Sequence, residues 1–288
     1  MLLYLITFAV SIGFAVCSDL CQRQIAVAKR EFAGRGLWNA VIAAKIGRNV
    51  FILFSAAVLI LLSGLRYDTG VDYYYSYVPS LETVRAGSAS HYDPLFNFII
   101  ACFARLEDNQ WFFAAMALYT VAMIYYGICR CTQYIAIPIA LYLVSFNYLR
   151  SFCFVAQYVA IATFFVGFAA LLKKKWIPAA ILIVLAVLLH QSAIIVIPFV
   201  LMYFLKTKWM MAVSILLPIF ALLGQGVVRV IFVMFGSSTR FDYYFGSEYD
   251  MGYADNTLIL INFAVFAMFL FVYYMTQAYR EHDRNLGI

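Results

Sequence analysis

Residues 50–75 read VFILFSAAVLILLSGLRYDTGVDYYY, an apolar run that leads directly into charged and aromatic residues. The run from Val50 to Leu65 is long enough to cross most of a bilayer, because a full crossing takes roughly 20 apolar residues. Arg66, Asp68 and Asp72 follow it at once. Ionisable groups at this depth are costly, so they tend to mark functional sites. The stretch therefore predicts a membrane span with part of an active site at its outer end.

The composition indicates a membrane protein. Apolar residues make up 66% of the 288 positions and charged residues only 12%, and the mean hydropathy is +0.89. A soluble domain carries about a quarter charged residues. The net charge of +6 comes from short basic clusters beside apolar runs, which fits topology signals better than a nucleic-acid surface. We expect an all-α, polytopic membrane protein with residues 1–288 in one transmembrane domain, and no nucleic-acid partner.

Cysteine and histidine give no sign of a metal site. The six cysteines lack the spacing of a disulfide framework or a zinc site, and the three histidines do not cluster. The sequence therefore predicts neither a metal nor another cofactor.

Apolar runs and basic clusters together predict about nine crossings of the cytoplasmic membrane. The spans are expected at residues 1–17, 50–65, 111–128, 135–146, 152–172, 176–189, 193–205, 210–223 and 258–275. Basic residues concentrate on the cytoplasmic side, which assigns that side to a loop at about 18–49 and to Lys173–Lys175. The middle of that loop, Gln24 to Val41, could lie along the inner interface as an amphipathic helix. The N-terminus then lies outside, the C-terminus inside, and outer loops cover about 66–109 and 224–256. Leu95 to Ala104 is too short to span and is expected to be re-entrant or interfacial.

This topology collects ionisable residues on the outer side of the membrane. They are Arg66, Asp68, Asp72, His91, Asp93, Arg150, His190, Arg229, Arg240, Asp242 and Glu248. Basic residues of the predicted outer segments are arginine and never lysine. Arginine is favoured where a planar fork grips phosphate or carboxylate at two points. The pattern predicts an outer pocket for an anionic group, most simply the phosphates of a lipid-linked donor.

Each candidate also has a plainer structural explanation. Arg66 could form an ion pair with Asp68 or Asp72 that orders the loop, and Arg150 could extend from a helix end towards water. His190 could be a hydrogen-bonded residue at a turn rather than a proton acceptor. Two tyrosine clusters, at residues 67–77 and 243–253, fit either an interfacial aromatic belt or a sugar-binding surface.

Several motifs resemble those of the EpsG family. The first is Leu65-Arg66-Tyr67-Asp68-Thr69-Gly70-Val71-Asp72-x-x-Tyr75, which matches an arginine followed by Gly-x-Asp and a tyrosine. Asp93-Pro94 matches an acidic-proline step, with aspartate where glutamate is more usual, and His190-x-Ser192 matches a late His-x-Ser. Arg240 and Tyr244 match a basic-then-tyrosine element. The family's Arg-Gln pair is Ala156-Gln157 here, which is a departure. The resemblance covers roughly residues 1–275.

The resemblance implies a Wzy-like polymerase of exopolysaccharide, capsule or O-antigen repeat units, with at most a GT-C-like helical fold. Its substrate would be a polyprenyl-diphosphate-linked oligosaccharide, and a chain-length regulator and a flippase are candidate protein partners besides membrane lipids. Asp72, His190 and Asp68 would be catalytic. The substrate and its diphosphate would be bound by Arg66, Arg150, Arg240, Tyr75, Gln157 and Tyr244.

Other functions remain open at this point. A transporter or flippase for lipid-linked glycans would need polar residues along a path through the bundle, usually with repeated halves. Ionisable groups collected at one face favour a one-sided enzyme instead. An O-antigen-ligase-like enzyme uses the same donor chemistry, and a membrane acyltransferase is a further alternative.

Overall fold

The computed structural model describes residues 2–31, 35–202 and 204. Every regular element in this part of the chain is helical, and no strand occurs in it. The chain divides into two compact units, Met1–Ile197 and Pro198–Ile288. Almost all the described residues belong to the first. The prediction of an all-helical membrane protein is confirmed in the described residues.

Ten α-helices follow one another along the described chain. They are α1 Leu2–Glu31, α2 Arg35–Gly64, α3 Val78–Arg85, α4 Pro94–Phe103, α5 Gln110–Cys131, α6 Ala136–Val144, α7 Asn147–Arg150, α8 Val155–Leu172, α9 Trp176–Leu189 and α10 Ile197–Met202. A π-helical turn, Tyr73–Tyr77, precedes α3, and a 3-10 turn, Gln191–Val196, joins α9 to α10.

Four of the described helices contain segments long and apolar enough to cross a membrane. These segments are Leu2–Ala28, Asn39–Gly64, Gln110–Cys131 and Val155–Leu172. The predicted span at 135–146 is instead the nine-residue α6, which ends before Phe146 adopts a φ of 60°. The fourteen-residue α9 is apolar but short, and the predicted spans at 210–223 and 258–275 lie outside the described residues. The count of nine crossings therefore stays a prediction.

The first two helices form an antiparallel pair. Ser11 of α1, Ser55 of α2 and Tyr125 of α5 share buried hydrogen bonds, with 2.7 Å between the Ser55 and Tyr125 hydroxyls. The basic segment at about 18–49 is helical wherever it is described, but it continues the two long helices rather than forming a separate amphipathic one, because α1 extends to Glu31 and α2 begins at Arg35. Lysine and arginine are good helix formers, so a basic cluster does not by itself interrupt a helix.

The centre of the described bundle is α5, which packs between α2 and α8. Gly64 allows close approach, because a Cβ there would lie 3.4 Å from the Cα of Ala114. The hydroxyls of Tyr119 and Thr163 join α5 to α8 at 2.8 Å. Gln110 also donates to the carbonyl oxygen of Gly64. These contacts make α5 antiparallel to α2 and parallel to α8.

Five helix ends consequently meet at one end of the bundle. They are the ends of α2 and α9 and the starts of α4, α5 and α8. The end of α2 contacts the start of α5 through Gly64, and the other four meet in an apolar cluster that includes Tyr77, Phe96, Phe112, Val155 and Leu189. The opposite end holds the ends of α5 and α8, where Cys131 lies within electrostatic range of Lys173. The described residues expected at the outer face therefore share one end of the bundle, here called the site end: Arg66, Asp68, Asp72, His91, Asp93, Arg150 and His190. The others, Arg229, Arg240, Asp242 and Glu248, lie outside the described residues.

Candidate functional site

Arg66 lies at the site end, two residues beyond the end of α2. Only 8% of the residue is exposed. Its guanidinium carbon is 4.7 Å from the ring centroid of Phe152 and 5.4 Å from that of Phe113. Such cation–π contacts are most favourable when desolvated. Among the described residues Arg66 forms no ion pair with Asp68 or Asp72, so the ion-pair explanation of this motif is not supported.

The charge of Arg66 is only partly satisfied by the protein. Burial lowers the pKa of Arg66 to about 10, so the side chain stays charged at neutral pH. Its buried Nε has no hydrogen-bond acceptor among the described residues. A cavity of about 10 Å³ beside it, enough for one water molecule, is lined by Ser63 of α2, Thr120 of α5, Ser151 before α8, and Val155 of α8. Buried polar groups are nearly always hydrogen-bonded, so an unpaired cation here suits an anionic ligand.

A second arginine at this end of the bundle shows the contrast. Arg85 of α3 donates from Nε to the Ala104 oxygen at 3.0 Å. Its Nη2 donates to the Leu106 oxygen at 2.8 Å and to Asn109 Oδ1 at 2.9 Å. Arg85 therefore closes the turn between α4 and α5, whereas Arg66 retains donor capacity.

The loop that follows Arg66 depends on Gly70. Its φ is +103°, a conformation that residues with a Cβ rarely adopt. A Cβ at this position would lie 2.8 Å from the carbonyl oxygen of Phe152. The backbone then turns, with Tyr73 N donating to Gly70 O at 3.0 Å, and enters the π-helical turn. Gly70 thus lets the motif pack against the residues just before α8.

The two aspartates of the motif differ in burial. Asp72 is partly buried, and burial raises the pKa of its carboxyl group. Asp68 is exposed and has a φ of 53°. A carboxyl group with a raised pKa is better suited to proton transfer near neutral pH, so Asp72 is the stronger catalytic candidate of the two.

Aromatic rings pack the π-helical turn against α5 and against the loop before α4. Tyr73 stacks on Phe113 with 4.4 Å between centroids, and Tyr77 stacks on Tyr92 at 5.4 Å. The Tyr77 hydroxyl accepts a hydrogen bond of 3.1 Å from the backbone N–H of Ala156. Tyr73 and Tyr77 are buried, so they belong to neither an aromatic belt nor an open sugar surface. Tyr75, by contrast, is 84% exposed.

His190 lies beside a carboxylate. Its Nδ1 is 3.3 Å from Oδ2 of Asp93, and the same oxygen accepts a hydrogen bond from Gln191 N at 3.1 Å. Asp93 is 6% exposed. It is not among the catalytic residues that the sequence predicts, although the sequence itself singles out the Asp93-Pro94 step within the predicted outer loop. Its contacts with His190 and Gln191 depend on the packing of distant helices, which the sequence alone does not show.

The remaining predicted residues are at the edge of the site or outside the described residues. Arg150, at the end of α7, is exposed and near enough to Tyr158 to act on it electrostatically. Gln157 is exposed in the first turn of α8, next to Ala156. Arg240 and Tyr244 lie outside the described residues. No group of three or more His, Cys, Asp or Glu suited to a metal occurs in the described part of the chain.

The fold and the site define a polytopic membrane protein with an arginine and a His–Asp pair at one end of its bundle. The chain belongs to the EpsG family, whose family model matches residues 49–288. Neither the curated proteins nor the solved structures gave a match. The family suggests a membrane-bound, Wzy-like polysaccharide polymerase, which implies a lipid-linked oligosaccharide as substrate.

Proposed function

We propose that the protein joins oligosaccharide repeat units carried on polyprenyl diphosphate, at the outer face of the cytoplasmic membrane. The observation that carries this proposal is the buried, charged Arg66 with an unpaired Nε at the site end. A fixed cation in a low-dielectric site stabilises negative charge that develops on a leaving group. The diphosphate of the donor lipid is such a leaving group.

The reaction needs no nucleotide, because the donor already carries an activated linkage. A hydroxyl of one repeat unit attacks the anomeric carbon of another, and the bond to the diphosphate breaks. Arg66 binds the diphosphate, and Arg150 and Arg240 are proposed to assist. Tyr75, Gln157 and Tyr244 are proposed to contact the substrate, since Tyr75 and Gln157 are accessible at the site end.

A base must take the proton of the attacking hydroxyl. Two candidates lie at the site end: Asp72 directly precedes the π-helical turn, and His190 directly follows α9. Asp68 is exposed and is proposed to contact the substrate during the reaction rather than to accept the proton.

The orientation of the chain is part of the proposal. About nine crossings would place the N-terminus and the site end outside and Lys174 inside. Single cysteines introduced near Asp72 and near Lys174, in a cysteine-free background, can be labelled from each side of the membrane. Labelling of the Asp72 region from the cytoplasm alone would overturn the proposed sidedness.

The activity itself is tested with purified protein and lipid-linked repeat units in liposomes. Long polymer is the expected product, and Arg66→Ala should abolish it. Arg105→Ala, which removes an exposed arginine of the same region, is the matched control and should retain polymer. Arg66→Lys is a second variant that controls for misfolding, because it keeps the buried positive charge. It lacks the planar guanidinium, so it should bind the lipid-linked donor more weakly than wild type.

The same assay separates the alternative functions. Transfer to a different acceptor without polymer would indicate a ligase, and movement of the lipid across the bilayer alone would indicate a flippase. Unchanged polymer length in Arg66→Ala would remove Arg66 from the mechanism.

A further inference from the structure

We propose that Asp93 is a positioning residue that holds His190 as the base of the reaction. The inference rests on the proposed function and assigns the proton acceptor within it. Its starting point is the contact between two elements distant in sequence, the start of α4 and the residue that follows α9.

Asp93 is the N-cap residue of α4, but its side chain does not cap that helix. Its backbone is extended, and its side chain makes no capping hydrogen bond to α4. The carboxylate instead accepts the backbone N–H of Gln191, just beyond the end of α9. An aspartate before a helix usually bonds to the first turn of its own helix. Here the side chain is directed to the neighbouring helix, which a purely local capping role does not explain.

The carboxylate faces one particular nitrogen of His190. Nδ1 is fully buried and lies 3.3 Å from Asp93 Oδ2, whereas 30% of the His190 side chain is exposed. The accessible part of the ring is therefore the part away from Nδ1. The distance lies within ion-pair range, but the contact is not a hydrogen bond, because Nδ1 has no hydrogen-bond partner among the described residues. Catalytic hydrogen bonds are often long without substrate and shorten in the complex.

This arrangement sets the tautomer of the imidazole. A carboxylate beside Nδ1 favours the proton on Nδ1, which leaves Nε2 with its lone pair free. Asp93 also stabilises the imidazolium that forms when Nε2 accepts a proton, as a buried carboxylate does in a catalytic triad.

The oxygen of the acceptor hydroxyl forms a bond to the anomeric carbon, and its proton moves to Nε2 of His190. The bond between that carbon and the diphosphate oxygen breaks, and its electron pair leaves with the diphosphate bound by Arg66. The imidazolium then releases its proton to water, which restores the neutral ring.

A double-mutant cycle distinguishes positioning from a structural role. Asp93→Asn should lower kcat for polymerisation by about ten- to a hundredfold with little change in KM, since general-base catalysis is worth about 10²–10⁴ in rate. His190→Gln should lower it at least as far. Adding Asp93→Asn to His190→Gln should cost less than about twofold more, because residues that act as one unit are not additive.

Two further variants complete the test. Asp93→Glu should recover part of the rate, since it restores a carboxylate near Nδ1. Asp108→Asn is the matched control: Asp108 also accepts one backbone N–H, from Gln110 at 2.8 Å, but is exposed on the outer loop. It should retain the wild-type rate, and the melting temperature of each variant in detergent reports its folding.

The outcomes are distinct. An Asp93→Asn penalty that is equally large in the His190→Gln background would show a structural role and overturn the inference. Wild-type kinetics in Asp93→Asn, with polymer still lost in Arg66→Ala, would overturn the inference and leave the proposed function standing. A wild-type protein that forms no polymer would overturn both.

Discussion

Gly70 and Phe152 touch through their backbones, so closely that a Cβ on residue 70 would lie 2.8 Å from the Phe152 carbonyl oxygen. The contact joins the loop after α2 to the residues before α8. Arg66 lies on the ring of the same phenylalanine. The position of the guanidinium therefore depends on how closely the loop approaches residue 152.

Gly70→Ala should displace this loop. Alanine would have to adopt a φ of +103° and also move the Phe152 backbone. Strained backbone of this kind costs about 1–3 kcal/mol. We expect a lower melting temperature and little or no polymer, measured by thermal unfolding in detergent and by the liposome assay.

Gly87→Ala separates the two causes. Gly87 has a φ of +88°, but a Cβ there would meet nothing within 4 Å. It should show the conformational cost alone and retain polymerisation. Equal loss of activity in both variants would contradict the role of the contact between residues 70 and 152.

Phe152→Leu should weaken donor binding. The substitution removes the ring beneath Arg66, a contact worth about 0.5–2 kcal/mol. We expect a several-fold higher KM for the lipid-linked donor, because the guanidinium loses its fixed position. Phe154→Leu, at an exposed phenylalanine two residues on, should leave KM unchanged. A KM that responds equally to both would argue against the cation–π contact.

Tyr77→Phe should destabilise the start of α8. The buried N–H of Ala156 loses its acceptor, and an unsatisfied buried donor costs about 1–3 kcal/mol. Thermal unfolding measures the change. Tyr75→Phe removes a hydroxyl from a side chain that is 84% exposed and should change stability by less than about 0.5 kcal/mol. A Tyr77→Phe variant as stable as wild type would show that this hydrogen bond contributes little.

Asp72→Asn should remove a pH-dependent loss of stability. Burial raises the pKa of Asp72 in the folded protein above its ordinary value of 3.8. The folded state then favours the protonated carboxyl group. The resulting contribution to the free energy of unfolding is fully present below pH 3.8 and is lost as pH rises through the raised pKa of the folded protein. Asparagine lacks this titration, so the variant should gain stability relative to wild type as pH rises from about 4 to 7.

Melting temperatures at several pH values measure this difference. The effect should be small, since the side chain remains partly accessible to water. A difference between variant and wild type that stays constant over the range would contradict the prediction.

Much of the fold follows from local sequence. The apolar runs at 111–128 and 152–172 became α5 and α8 within a few residues, because uninterrupted apolar length is a local signal. The short run at 95–104 became α4, a ten-residue helix. Arg66, which directly follows the apolar run Val50–Leu65, could likewise be picked out from the sequence as a candidate site residue.

Two differences from the predictions have physical causes. The helix expected within Gln24 to Val41 is, where described, the continuation of α1 and α2, because long cationic side chains are compatible with a helix and can extend towards water. The span at 135–146 ends early, where Phe146 adopts a left-handed conformation that the apolar pattern does not reveal.

Pairing between distant residues is the part that sequence could not provide. Asp93 and Gln191 are 98 positions apart, and their contact depends on how α4 packs against α9. Tyr77 and Ala156 are joined across 79 positions in the same way. No local sequence pattern encodes these contacts, although the Asp93-Pro94 and His190-x-Ser192 motifs can each be recognised in the sequence.

The first helix lies before the residues that the family model matches, yet it is built into the bundle. Asp19 accepts the backbone N–H groups of Ile135 at 2.7 Å and Ala136 at 3.0 Å, and Ser11 hydrogen-bonds to Ser55. Chimaeras that exchange the matched region between family members should therefore transfer residues 2–31 as well. A graft that begins at residue 49 would leave α6 without its acceptor and α2 without its neighbour.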